Sequence, residues 1–123
     1  KMEGTPIDES VLVYENIYIG NMYSSKNKDD LNLNKISHIV NCAYECQNHF
    51  PEDFKYLNLD MEDDSNYPIE KHFEEAYEFI DRVFKTESSV LVHCKLGRSR
   101  SASIVLMFLI KKLKIDYSKA LEI

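Results

Sequence analysis

The chain has no tryptophan and, in 123 residues, only three glycines, three prolines and three cysteines. So little glycine and proline excludes collagen-like and low-complexity chains, and 44% hydrophobic against 29% charged residues excludes a disordered one. An odd number of thiols does not build a disulfide framework and fits a reducing compartment. The longest apolar run, Ile104 to Ile110, is seven residues, far short of the ~18 that a membrane span needs. Positive charge is scarce as well: 15 Lys plus Arg face 21 Asp plus Glu, a formal net charge of −6, and only three of the cations are arginines. Nonspecific attraction to nucleic acid or acidic lipid is therefore disfavoured, and an anionic ligand needs a local cationic site.

The length suits one domain, residues 1–123, and no repeat, low-complexity tract or linker divides it. With no apolar stretch of signal-peptide type at the N-terminus, the expected location is cytoplasmic, with nuclear access open. Val11-Leu12-Val13-Tyr14 and Ile17-Tyr18-Ile19 read as a β-hairpin ending at Gly20. A helix is expected over residues 24–34, capped by Ser24 or Ser25, followed by strands over 37–42 and 56–59. Ile69, Phe73, Ala76, Tyr77, Ile80 and Phe84 form one apolar stripe opposite Glu70, Glu74, Glu75, Glu78 and Asp81, which predicts a surface helix. Val90-Leu91-Val92 is a short buried strand, the 104–110 run lies in a core helix, and Asp116 caps a last one. Strands alternating with helices predict an α/β fold with a mostly parallel central sheet flanked by helices on both faces.

In such sheets ligands sit beyond the carboxyl ends of the strands, where loops lead into helix N-termini. His93-Cys94-Lys95-Leu96-Gly97-Arg98-Ser99-Arg100-Ser101 holds that position and contains two of the three arginines. A helix beginning near Ser101 aims backbone N–H groups and the positive end of its dipole at the loop. Gly97 lets the chain curl so that these groups converge on one anion. Cys94 at the mouth of such a cradle loses its proton easily, a free thiol near pKa 8.5 falling to ~3.5–7.5 in such surroundings. Arg100 presents a planar fork to two phosphate oxygens. A thiolate beside an oxyanion cradle and an arginine clamp suits in-line attack on phosphorus through a cysteinyl-phosphate intermediate.

His93-Cys94-x5-Arg100-Ser101 resembles the signature of cysteine-dependent protein tyrosine phosphatases, and the wider chain resembles the catalytic domain of dual-specificity phosphatases. Ile17-Tyr18-Ile19-Gly20-Asn21, His38-Ile39-Val40-Asn41, His72-Phe73-Glu74-Glu75-Ala76 and Arg100-Ser101-Ala102-Ser103 resemble further family blocks in the family's order, so the likeness covers roughly residues 10–122. The resemblance implies a protein tyrosine phosphatase-like fold and hydrolysis of phosphotyrosine and phosphoserine/threonine in proteins, by a monomer that needs neither cofactor nor metal. Family members usually continue through another helix, so the chain is expected to be cut short at Ile123.

By the same resemblance His93 orients the loop and supports the thiolate, Ser101 assists the leaving thiolate in the second step, and Lys95, Leu96, Gly97, Arg98, Ser99 and Arg100 cradle the phosphate. The general acid comes from the loop Asp60-Met61-Glu62-Asp63-Asp64-Ser65, where ten residues back from Phe73 gives Asp63, with Asp64 as runner-up. Lys95 and Arg98 depart from the small or apolar residues common at those places, although Slingshot-type members share a similar His-Cys-Lys-apolar-Gly start. They are solvated rim charges or a preference for a more highly charged substrate, such as a phosphoinositide or a doubly phosphorylated peptide. A phosphoinositide phosphatase and a phosphate-binding pseudophosphatase are the alternatives, the second weakened because nucleophile, arginine and acid are all present. Cys42 resembles the redox-partner cysteine of the phosphoinositide branch, and a short loop before residue 24 implies a shallow site with an exposed thiolate. Cys42, Cys46 and His49 do not match a zinc spacing, and His38 and His72 read as structural.

Overall fold

The structure is a computed structural model that describes residues 7–96 and 99–123. Strand β1 (Val11–Tyr14) turns at Glu15-Asn16 into β2 (Ile17–Gly20), and β3 (Ile36–Ala43), β4 (Lys55–Met61) and β5 (Ser89–His93) complete a sheet of order β1-β2-β5-β3-β4. Only the β1–β2 pair is antiparallel; β2–β5, β5–β3 and β3–β4 are parallel. The predicted α/β fold is therefore present, with β5 at the centre of the sheet.

Both faces of the sheet are covered. Ile17 and Ile19 of β2, Val40 and Cys42 of β3, and Val90 and Val92 of β5 share one core with α2 (Phe73–Val83) and α3 (Ser99–Leu113), which contribute Ala76, Ile80, Ile104 and Phe108. Leu91, between Val90 and Val92, points the other way and packs with Ile36, Ile39, Phe54 and Leu31 of α1 (Lys28–Leu33). That alternation explains the unbroken apolar run Val90-Leu91-Val92, because a central parallel strand must be apolar on both sides.

Two helices depart from expectation. Residues 24–34 are a short 3₁₀ turn, Ser24–Lys26, followed by α1, because Asn27 leaves helical geometry and its side chain accepts from the Asp30 N–H at 3.2 Å. Ser24 caps nothing; its Oγ accepts from the Asn21 N–H at 2.8 Å. The stripe beginning at Ile69 also starts as a 3₁₀ turn, Ile69–His72, with Tyr67 stacked on His72 and its hydroxyl 2.9 Å from Nε2. Helix α3 is already helical at Ser99, two residues before Ser101. As expected, Asp116 caps α4 (Tyr117–Leu121), accepting from the Lys119 N–H at 2.9 Å.

Two irregularities shape the carboxyl edge of the sheet. Between Asn41↔Asn58 and Ala43↔Met61 the register of β4 gains one residue, and Asp60 there takes φ 53°, a left-handed conformation that Asp tolerates better than most residues. The bulge turns the Met61 carbonyl inward and launches the acidic loop. Gly20, paired with His93, lies so close to Ser24 Oγ that a Cβ would collide with it.

Candidate active site

His93 ends β5, so Cys94 follows at the carboxyl edge of the central strand, with the first turn of α3 facing it. The Cys94 thiol and the Ser101 hydroxyl share a hydrogen bond at 3.4 Å, and Sγ lies 3.8 Å from the Leu96 carbonyl. The loop is tied down from the side as well, since the Met22 N–H donates to the Lys95 carbonyl at 3.0 Å. Cys94 and Ser101 are fully buried. This corrects the expectation of an exposed thiolate: the sulfur lies at the bottom of the loop, against Ser101 and the Leu96 backbone.

His93 is buried too, and burial pushes its imidazole down to about 4, so the ring is neutral at pH 7. Its Nδ1 lies 3.4 Å from the Cys94 carbonyl, an acceptor, so the single ring proton belongs on Nδ1. His93 therefore brings no positive charge to Cys94.

Arg100 is buried beside Cys94, and its partners come from two distant segments. Nη1 donates to Glu45 Oε1 at 3.0 Å and to the Met61 carbonyl at 2.8 Å, and Nη2 donates to Glu45 Oε2 at 2.7 Å. Of the five N–H bonds of a guanidinium three are engaged, and the two that no described residue takes are Nε–H and the second Nη2–H. These lie on one edge, the edge that can meet two oxygens of a phosphate side-on.

Arg100 also lines a cavity of about 320 Å³, together with Asp63, Asp64, Glu62, Ser99 and Tyr67. Both acid candidates line it: Asp64 Oδ1 accepts from the Asn66 N–H at 3.1 Å in its own turn, and the Asp63 charge makes the smallest contribution to raising the Arg100 guanidinium. Lys95 and Leu96 are exposed on the rim. Gly97 and Arg98, both expected in the cradle, lie outside the described residues.

The family model "Dual specificity phosphatase, catalytic domain" matches residues 17–123. The chain belongs to this family. Slingshot of Drosophila melanogaster, a protein phosphatase, is 34% identical over 116 residues, covering 94% of this chain and 11% of its own length. Dual specificity protein phosphatase 1B of Arabidopsis thaliana is 35% identical over 111 residues, covering 90% of this chain and 66% of its own. The crystal structure of DUSP15 superposes with a TM-score of 0.84 at 32% identity, covering 94% of this chain and 73% of that one. The chain thus spans only about a tenth of the length of the Slingshot relative.

In this dual-specificity phosphatase domain Glu45 is the site residue that the sequence reading missed. It follows β3, 55 positions from its partner, and its carboxyl is held below the usual range chiefly by the Arg100 hydrogen bonds. An unpaired acid after a strand end carries no local signal of such a role. Glu45 binds Nη1 and Nη2 of the guanidinium together and so fixes the orientation of Arg100. Glu45→Ala is expected to lower kcat/KM by roughly 10²-fold through a misplaced guanidinium and to weaken inhibition by inorganic phosphate. Glu45→Gln, retaining one acceptor, should fall between. An unchanged inhibition constant for phosphate in Glu45→Ala would dismiss the role.

Cys42 is buried on β3 directly after Asn41, the register partner of His93, which sets it beside the end of β5. Burial pushes its thiol up, and the neighbouring Cys94 adds to the shift. All three cysteines are free, and no metal-binding group of three His, Cys, Asp or Glu occurs among the described residues. No described helix is long and apolar enough to cross a membrane. His38 packs edge-on against Phe79 with centroids 5.3 Å apart.

Proposed function

We propose that this domain hydrolyses phosphotyrosine and phosphoserine/threonine residues of proteins through a cysteinyl-phosphate intermediate. The observation that carries the reading is the convergence, at the start of α3, of the Cys94 thiol, the Ser101 hydroxyl and the open edge of Arg100, which shares a cavity with Asp63. The Cys94 thiolate attacks phosphorus in line, forming the S–P bond as the P–O bond to the substrate oxygen breaks. Asp63 gives that oxygen its proton. Arg100 and the backbone cradle, to which Lys95, Leu96, Gly97, Arg98 and Ser99 belong in this reading, hold the equatorial oxygens where charge is greatest. Water then releases phosphate, with Ser101 stabilising the departing thiolate through the hydrogen bond it already makes to Sγ. In this scheme Arg100 and the cradle supply the positive charge, and no step calls for a metal.

The test is phosphate release from phosphotyrosine peptides, phosphothreonine peptides and soluble phosphoinositides, with and without chelator. Turnover of both peptide classes, unaffected by chelator, is the expected result. Preference for phosphoinositides moves the assignment to lipid, phosphate binding without release makes the domain a pseudophosphatase, and chelator sensitivity overturns the metal-free mechanism.

Cys42 is the proposed redox partner of the nucleophile. Peroxide converts the Cys94 thiolate to a sulfenic acid; Cys42 sulfur then displaces the hydroxyl, which takes the Cys42 proton and leaves as water as the S–S bond forms. After mild peroxide treatment, mass spectrometry is expected to show a Cys42–Cys94 disulfide and recovery of activity with thiol. Sulfinic acid at Cys94 with Cys42 still free removes the partnership, and a Cys46–Cys94 bond transfers it to Cys46.

A further inference from the structure

A second cavity of about 290 Å³, sharing no lining residue with the first, is lined by Lys26, Glu45, Cys46, His49 and Lys95 among others. It is joined to the catalytic centre at three points: Lys95 follows Cys94 in the chain, the Met22 N–H is bonded to the Lys95 carbonyl, and Glu45 is bonded to Arg100. Glu45 is the single carboxylate of its lining, and that charge is already spent on Arg100. Burial first, and then Glu45, push the Cys46 thiol up, so it stays uncharged. Besides Glu45, the charged side chains on this lining are two lysines, Lys26 and Lys95, in a chain whose net charge is −6.

The first cavity has the opposite character, with Glu62, Asp63 and Asp64 on its wall. The cavity that Arg100 lines is thus acidic, and the one lined by its partner Glu45 carries two lysines. An extended peptide entering with its phosphate between the two walls meets repulsion for a second anion on the acidic side and attraction on the basic side.

We propose that the cavity at Lys26, His49 and Lys95 is a second anion site, which takes a carboxylate or a second phosphate carried by the same phosphopeptide a few residues from the one being hydrolysed. The proposal deepens the phosphatase reading and rests on it. Lys26 is exposed on the 3₁₀ turn with Nζ 5.6 Å from the Tyr23 ring centroid, free to reach a bound anion. Exposed ion pairs are individually weak, and two of them together give roughly a 3–30-fold preference.

The experiment measures kcat/KM for three phosphotyrosine peptides of one sequence, whose flanking position carries Ala, Glu or a second phosphorylated residue, placed on either side of the phosphotyrosine. p-Nitrophenyl phosphate serves as a substrate that cannot reach the second cavity. The wild-type domain is expected to favour the anionic peptides by about 3–30-fold on one side only, with the doubly phosphorylated one ahead where the site prefers phosphate over carboxylate. Lys26→Glu should abolish or invert that preference, Lys26→Ala should reduce it, and neither should change p-nitrophenyl phosphate hydrolysis. Lack of preference in the wild type, or a preference that survives Lys26→Glu, overturns the second site while aryl phosphate turnover keeps the phosphatase reading. A wild-type domain inert toward all phosphates sinks that reading itself. A short-chain phosphoinositide that outcompetes every peptide and loses its advantage in Lys26→Glu reassigns the cavity to a lipid headgroup.

Discussion

Cys94→Ser is expected to lower phosphate release by roughly 10⁴–10⁶-fold, about 5–8 kcal/mol of transition-state stabilisation, while binding of inorganic phosphate stays within a few-fold. The two readouts separate because they depend on different atoms. A serine hydroxyl in place of the thiol is a far poorer nucleophile at neutral pH. In the proposed mechanism the phosphate, in contrast, is held by Arg100 and by backbone N–H groups, and Glu45 and the Met61 carbonyl hold the guanidinium through bonds that do not involve residue 94. The substitution is nearly isosteric in a fully buried position, and serine can still bond Ser101, so folding should survive. A Cys94→Ser protein that turns over at the wild-type rate removes Cys94 as nucleophile. One that has also lost phosphate binding places the damage in the cradle.

Asp63→Asn is expected to cost roughly 10²–10³ in turnover of substrates with poor leaving groups, such as phosphothreonine peptides, and much less with p-nitrophenyl phosphate. The amide preserves shape and removes only the transferable proton, so its effect should grow with the basicity of the leaving oxygen. Asp63 is favoured over Asp64 by the spacing of ten residues before Phe73 that the family resemblance implies, and Asp64 Oδ1 already accepts from the Asn66 N–H in its own turn. Both follow the bulge at Asp60, which swings the loop toward Arg100 as it brings in the Met61 carbonyl. If Asp64→Asn shows the leaving-group dependence and Asp63→Asn does not, the register of the acid is off by one. If neither shows it, the proton comes from elsewhere.

Cys94, Arg100 and Ser101 were legible in the amino-acid sequence because they belong to one strand-loop-helix unit, where spacing along the chain dictates proximity in space. The same holds for the parallel sheet, whose central strand declares itself by Val90-Leu91-Val92, and for the Asp116 cap. The Asn27 cap was equally local, an Asn three residues before the Asp30 whose N–H it accepts, but Ser24 and Ser25 offered earlier caps in the same polar stretch. Only the tertiary structure decided that Glu45 grips Arg100 from 55 positions away and that Lys26 and Lys95 share a cavity. These neighbours meet through crossovers between parallel strands and through a one-residue bulge in β4. Which side chains face each other there depends on strand order and register, and neither leaves a periodic mark on the residues themselves.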